Sequence, residues 1–384
     1  MTSPITISAR TAARFRARKS GIASPMPSIA DAARALSGAQ SQIEAPSRWG
    51  LAMRTVGVPS SDDVRNALLQ QRSIVRVWGQ RDTVHAYATE DWPMFATAQT
   101  LWPRSARTGA MPTESEVADF VRVIDAIRQP FTRSDLLDSV PGRLVDEFAR
   151  NPVNNDPPAR MAATRLIWRA GGLGYLCSTS MVGREQAYAA RSWWTPNLAW
   201  NPGSPEQECV NVVRRYLQTW APARVHDIAH FLGANVSDVR RWVAALGDET
   251  ITVTLEAWPD HLMLRRDVAE MQELAGGPHH SEPIRLIPAY DTQMMSHGNK
   301  DLVLSDPSLR PLVWAKAATV NPTLFVDGRF VGTWKHEIKR KQLYIELRPF
   351  GRIPDLEDRI QADAKSLASH LGVESGPIQA IFAD

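Results

Sequence analysis

The chain has 384 residues, carries 44 Lys+Arg against 41 Asp+Glu for a formal charge of +3, and is 43% hydrophobic with a pI near 8.9. That apolar share builds cores and that length suits two or three compact units, which excludes an intrinsically disordered protein. Only Cys177 and Cys209 occur, without paired spacing, so no disulfide framework, zinc site or iron–sulfur site is expected, no cofactor is implied, and a reducing cytoplasm is the default.

No apolar run approaches the ~18 residues of a membrane helix, so no membrane partner is expected. Residues 1–27 form a basic N-terminal segment. The first thirty residues lack acidic side chains, carry Arg10, Arg14, Arg16, Arg18 and Lys19, and have no apolar core of a secretory signal. Such a stretch suits a transit peptide or a basic helix lying on phosphates.

Residues 28–112 form a first unit. An apolar-periodic helix begins near Ser28, a second helix spans Asp62 to Gln70, and Ile74 to Trp78 with Thr83 to Tyr87 reads as a hairpin. Residues 113–204 repeat the pattern. Thr113 and Glu116 stand in capping-box register before Val117, Phe120, Val121, Ile124 and Ile127. A short helix from Ser134 and a longer one through Met161 to Trp168 follow, and Gly171-Gly172 opens a strand from Leu173 to Ser178.

The clearest copy is 205–280. Glu206 to Trp220 is an amphipathic helix, and Ala229, Gly233 and Val239 have helix-turn-helix spacing: a small residue for close approach, a glycine for the turn, an apolar anchor. Ser237 is the expected N-cap of the second helix. Thr250 to Ala257 and His261 to Arg265 read as a wing turning at Trp258-Pro259-Asp260. From 281 to 384 the chain becomes strand-rich: Ile284 to Ile287, Pro311 to Val313, Thr323 to Val326, Arg329 to Trp334 and Gln342 to Leu347, with Asp327-Gly328 as a two-residue turn. That density suggests a small barrel or sheet, closed by a helix from Asp355 to Leu371 that ends at Gly372. The fold class is therefore α+β.

Chemistry concentrates at Gln40 and Gln42. Each amide donates and accepts hydrogen bonds at once, so the pair suits holding a water against a reacting carbon; the alternative is that both satisfy backbone groups at a helix end. The doublet His279-His280 follows Gly276-Gly277-Pro278 and has no ligand-spaced partner, so it reads as a surface loop. Arginines number 37 against 7 lysines, and arginine's planar fork suits phosphates and guanine edges. The clusters Arg214-Arg215, Arg240-Arg241, Arg265-Arg266 and Lys339-Arg340-Lys341 suit either nucleic acid or a solvated face.

Four segments fall in the order of one known family. Ser37 to Thr55 (SGAQSQIEAPSRWGLAMRT) resembles the signature of the AlkZ/YcaQ-like winged-helix DNA glycosylases, a glutamine, a usually apolar residue, then glutamine or aspartate. Val77 to His85 (VWGQRDTVH) is similar to its arginine-to-histidine segment, Ile287 to Asp291 (IPAYD) to its Pro-x-aromatic-Asp segment, and Val326 to Lys335 (VDGRFVGTWK) to its C-terminal strand pair. Ser41 stands where that family usually carries an apolar residue.

The resemblance implies three tandem winged helix-turn-helix units in a C-shaped arrangement with a C-terminal β-barrel. It further implies a monofunctional base-excision enzyme for alkylation damage, with Gln40 and Gln42 catalytic. Its partner would be double-stranded DNA bearing alkylated purines, met as a monomer in a bacterial nucleoid. Arg48, Trp49, Arg81, His85, Arg240 and Arg241 are expected on DNA, and Asp291 is a candidate active-site carboxylate or a structural turn cap. A non-catalytic winged-helix regulator or scaffold is the alternative; three non-identical copies suit a palindrome-reading dimer poorly.

Overall fold

The computed structural model describes residues 5–103, 110–152, 155–276, 284–301, 303–304, 306–326, 328–353 and 355–381. The expected loop at His279-His280 lies outside them, as does Asp327. The architecture is α+β. No helix among the described residues is long and apolar enough to cross a membrane.

The basic N-terminal stretch is a helix, as expected, and its inner face is part of the core while Arg10 and Arg18 remain exposed. Ser8 caps the helix Ala9–Lys19. Ala12 and Phe15 are fully buried, and Arg16 turns inward to donate to the Ala221 and Pro222 carbonyls at 3.4 and 2.6 Å. Lys19 pairs with Glu270 at 2.6 Å and Arg18 with the same carboxylate at 3.5 Å. The strand Thr6–Ile7 runs parallel to Thr250–Leu255 and completes a three-stranded sheet with Trp258–Leu264. An arginine whose donors reach buried carbonyls has no fork left for phosphate.

In residues 28–112, Ser28 caps Ile29–Ala35 and a Ser60–Asp63 capping box starts Ser61–Leu69. The hairpin Ile74–Trp78 and Val84–Ala88 follows. It does not stand alone. Arg76 pairs with Ser178, joining it to the hairpin Leu176–Val182 and Glu185–Ala190 of the next unit in a six-stranded sheet edged by Ala39–Gln40 and Phe131–Thr132. The Thr113–Glu116 capping box forms as expected at the start of Glu114–Ala126. A helix not expected above is present at Gly142–Arg150; its signal is Leu144 and Phe148 four residues apart, both buried, among charged neighbours. The helix Pro158–Gly172 runs through the two glycines instead of ending before them. A β-carbon on Gly171 would lie 2.5 Å from the Trp78 ring, so the glycine serves close packing, and the strand starts only at Leu176.

The third unit keeps its expected order: Pro205–Trp220, Val225–Leu232, Gly233 at φ 71°, then Val236–Ala245 with Val239 fully buried. Two details differ. Asn235 rather than Ser237 occupies the cap position, because the helix begins directly after the short Gly233 turn. The wing turns at Glu256-Ala257, where Leu255 pairs with Trp258 and Glu256 has φ 53°, two residues before the expected turn.

The C-terminal strands form an open sheet, not a barrel. Arg285–Ile287, Thr323–Val326, Arg329–Lys339, Gln342–Pro349 and Glu374–Ala380 lie in that order, and the first and last do not pair. The physical reason is the helix Leu356–Leu371. It carries the chain back along the sheet, ends at left-handed Gly372, and releases a last strand parallel to Gln342–Pro349. Pro311–Val313 belongs to a short helix, Arg310–Val313, where proline suits the first turn. One core cluster reaches from Ile7 to Ala368, whereas a second, built on Phe120, Ile124, Phe148 and Leu166, holds residues 110–190.

Candidate active site

The glutamine motif is set by a reversal at the end of Ile29–Ala35. Ser37 and Gly38 take φ values of 57° and 96°, conformations that L-residues other than glycine resist. A β-carbon on Gly38 would lie 2.4 Å from Cε1 of Tyr87. The turn lays Ala39–Gln40 antiparallel to Val84–Ala88, with Gln40 opposite His85. Ser41 is buried and donates its N–H to the Val84 carbonyl at 2.7 Å, while Gln40 is half-buried and Gln42 exposed. A cavity of about 20 Å³ lies beside Ser41, lined by Leu51, Val64, Leu68 and Ile74 together with Glu44, Arg48 and Arg76.

Both amides are oriented by protein donors. Gln40 Oε1 accepts from Arg81 Nη2 at 3.1 Å, and Gln42 Oε1 accepts the Val84 N–H at 3.1 Å. A carbonyl oxygen has two lone pairs, so each keeps one, along with its NH₂ donors. The glutamines are therefore fixed without being used up.

Arg81 and His85 do not reach outward as a DNA-contacting wing. Arg81 sits at φ 56°, donates to the Phe231 carbonyl, and lies 5.8 Å from the Phe231 ring centroid. The helix-turn-helix glycine packs on it, with a Gly233 β-carbon placed 3.1 Å from the Arg81 Cα. Burial lowers its pKa to about 10, leaving it charged at neutral pH. His85 is 1% exposed, and its Nδ1 faces the Thr83 carbonyl at 3.0 Å, which assigns the proton to Nδ1. Burial first, then the Arg81 charge, pushes its pKa down to about 3, so the ring is neutral. Beneath the motif, the Tyr87 hydroxyl donates to Gln80 Oε1, and Gln80 Nε2 donates to the Ser37 carbonyl at 2.7 Å. Burial holds the Tyr87 phenol well above its ordinary pKa.

The remaining expected residues divide. Trp49 is a core residue: its Nε1–H donates to the Leu286 carbonyl at 2.7 Å and its ring centroid lies 5.5 Å from that of His370, so it offers no face to a base. Asp291 is spent on Arg54, taking Nη1 at 2.8 Å and Nη2 at 2.7 Å in a buried bidentate pair, and it caps Thr292–Met295 through the Gln293 N–H at 2.8 Å. No free carboxylate remains there for chemistry. Arg241 is held by Asp238 and Glu206, each at 2.9 Å. Arg240 is exposed, Arg48 is half-buried, and neither has an ion pair among the described residues.

Sequence reasoning missed Arg76. Its Nε donates to the Ser41 carbonyl at 3.0 Å and its Nη1 to Glu44 at 2.8 Å and Gln186 at 2.7 Å. The available signal was a lone charge in an otherwise apolar strand, IVRVW. Among the described residues no cluster of His, Cys, Asp and Glu is arranged for a metal. Cys177 and Cys209 are separate and buried, and burial pushes both thiols up.

The chain is 24% identical over 373 residues to an interstrand DNA cross-link repair glycosylase of Streptomyces sahachiroi, covering 92% of this chain and 94% of that one. Its fold is similar to the solved structure of the S. sahachiroi DNA glycosylase AlkZ, with a TM-score of 0.79 at 22% identity over 98% of this chain and 100% of that one. A family model described as DNA glycosylase AlkZ-like matches residues 33–371, from two residues before the end of the first unit's opening helix to the last residue of the C-terminal helix. The protein therefore belongs to the AlkZ-like DNA glycosylase family and is a DNA glycosylase.

Proposed function

We propose that the enzyme hydrolyses the N-glycosidic bond of cationic N7- or N3-alkylated purines in double-stranded DNA, with Gln40 and Gln42 as the catalytic residues. The observation that carries this is a pair of oriented neutral amides whose nearby carboxylates are committed elsewhere, Glu44 to Arg76 and Asp291 to Arg54. A neutral amide is a poor base, so it suffices only where the leaving group is already activated. An alkylated purine carries positive charge. As the C1′–N bond breaks, its electron pair neutralises the base, the sugar becomes oxocarbenium-like, and a water oxygen bonds to C1′ while its proton passes to solvent. The free lone pairs of the two amides face developing positive charge and align that water.

The helix-and-hairpin units at 28–112, 113–204 and 205–280 act as winged helices curving along one duplex, reached as a monomer in the nucleoid. The named activity of the S. sahachiroi relative supports interstrand crosslinks as substrates beside simple alkyl adducts.

The test is single-turnover excision of N7-methylguanine from duplex DNA. Gln40→Ala and Gln42→Ala should each slow excision by about a hundredfold, the scale of losing one preorganised electrostatic group, with duplex affinity unchanged. Gln42→Glu should retain part of the activity, because a carboxylate there also stabilises the cation. Near-parental rates in both folded alanine variants would remove the glutamines from the mechanism.

A further inference from the structure

We propose that Arg76, steadied by Gln186 of the second hairpin, is the positioning residue that fixes the peptide between the two glutamines. The inference rests on the reading that Gln40 and Gln42 perform the chemistry.

Arg76 lies in the middle of Ile74–Trp78, opposite Ala86 on one side and Ser178 on the other, at the register pair that joins the two hairpins. It is 7% exposed. A guanidinium at a buried sheet position is costly unless its donors are satisfied in defined geometry. Here they converge on the motif. Nε holds the Ser41 carbonyl at 3.0 Å, and on the other side of the same residue the Ser41 N–H is held by the Val84 carbonyl at 2.7 Å. The backbone linking Gln40 to Gln42 is thus clamped at both ends, which sets the spacing of the two amides.

Gln186 fixes Arg76 in turn. Its Oε1 accepts from Nη1 at 2.7 Å, and its Nε2 donates to the Thr179 and Ala187 carbonyls at 2.9 and 2.8 Å, which leaves the amide one orientation. Glu44 bonds the same Nη1 at 2.8 Å. Its carboxylate cancels the guanidinium charge, so the clamp does not oppose a sugar becoming cationic beside it. A hairpin of the second unit thereby reaches the catalytic motif of the first through one side chain.

The experiment measures single-turnover excision at saturating enzyme on N7-methylguanine duplex, with duplex affinity determined separately. It compares Arg76→Ala, Arg76→Lys, Gln186→Leu, Gln40→Ala and Gln42→Ala. Arg76→Ala should lose on the order of tenfold to a hundredfold in rate, as misplacement of reacting groups does, with affinity unchanged and part of the rate restored by dilute guanidinium. Arg76→Lys should fall between, since one ammonium cannot span Ser41, Glu44 and Gln186. Gln186→Leu should lose several-fold in rate alone.

A parental rate in Arg76→Ala overturns the proposal. So does a loss in which affinity weakens in proportion and guanidinium restores nothing, the behaviour of a merely structural residue. If Arg76→Ala does not fold, Gln186→Leu decides by the same separation of rate from affinity. Should Gln40→Ala and Gln42→Ala be fully active, the catalytic reading falls and takes this one with it. Should they be inactive while Arg76→Ala and Gln186→Leu excise normally, only the clamp is wrong.

Discussion

Arg54 and Asp291 are both removed from water, with side chains 0% and 2% exposed. Two charges taken out of water are tolerable only as a well-bonded pair, and here both terminal nitrogens of the guanidinium are bonded to Asp291 and Nη1 also reaches the Gly50 carbonyl at 2.7 Å. Replacing Asp291 by Asn keeps the shape and removes the compensating charge. The expected cost is about 3–5 kcal/mol of stability, read from denaturant unfolding, while excision per folded molecule at low temperature stays near parental. A stable Asp291→Asn protein that no longer excises would return Asp291 to the active site. The same logic separates Arg81 from an ordinary DNA-binding arginine: its donors end on Gln40 and the Phe231 carbonyl, so its work is internal.

At the scale of elements, the decisive feature is the reversal between Ile29–Ala35 and Ala39–Gln40. Gly38→Ala meets both a left-handed backbone and the Tyr87 ring, and Tyr87 is pinned by Gln80. Overpacking of this kind costs typically about 1–3 kcal/mol. Because the turn also aims Gln40, the excision rate should fall with it; an alanine variant with parental melting temperature and parental rate would show the turn to be compliant. Local signals of this sort are legible in the amino-acid sequence. Ser28 and Thr113 cap the helices they announce, and Gly233 and Gly372 end theirs in left-handed conformations, because caps and turns depend on a few adjacent residues. Pairings between distant strands are not legible there. The contact of Arg76 with Ser178, the parallel last strand and the inward turn of Arg81 depend on side chains far apart in sequence, and no periodicity reports them. For that reason the turn that carries the two glutamines is legible in sequence, whereas the contacts around them are not, and Trp49, beside the motif in sequence, faces the core.

At the scale of the molecule, six of the nine histidines are held neutral by desolvation, and four of these, His85, His261, His297 and His370, are buried. Burial is the leading cause in each case, taking His85 to about 3 and His230 to about 4, and lowering His261, His297, His336 and His370. In the unfolded chain these rings bind protons near pH 6.5; in the fold they do so only at lower pH. The unfolded state therefore holds more protons as pH falls below about 6.5, and stability must decline through that window toward pH 4. Asp267 and Asp363, raised by burial, act in the opposite sense but are outnumbered. A melting temperature that stays level from about pH 7 to pH 4.5 would contradict this assignment of neutral rings.

DNA affinity also belongs to the whole surface, because counterion release counts phosphates wherever they are neutralised. Many arginines are already partnered: Arg214 with Glu249, Arg215 with Asp91, Arg241 with Asp238 and Glu206. The exposed pair of Arg241 with Glu206 is weak, so phosphate can displace it, whereas Asp91 is buried and holds Arg215 more firmly. Arg240, exposed on Val236–Ala245, has no carboxylate to give up among the described residues and should contact phosphate at the least cost. Affinity for undamaged duplex should fall steeply with salt. Arg240→Ala should lower the slope of log K against log salt by about one, Arg241→Ala by less, and the single-turnover rate at saturating enzyme should be unchanged in both. An unaltered slope in Arg240→Ala would place the duplex on another face of the molecule.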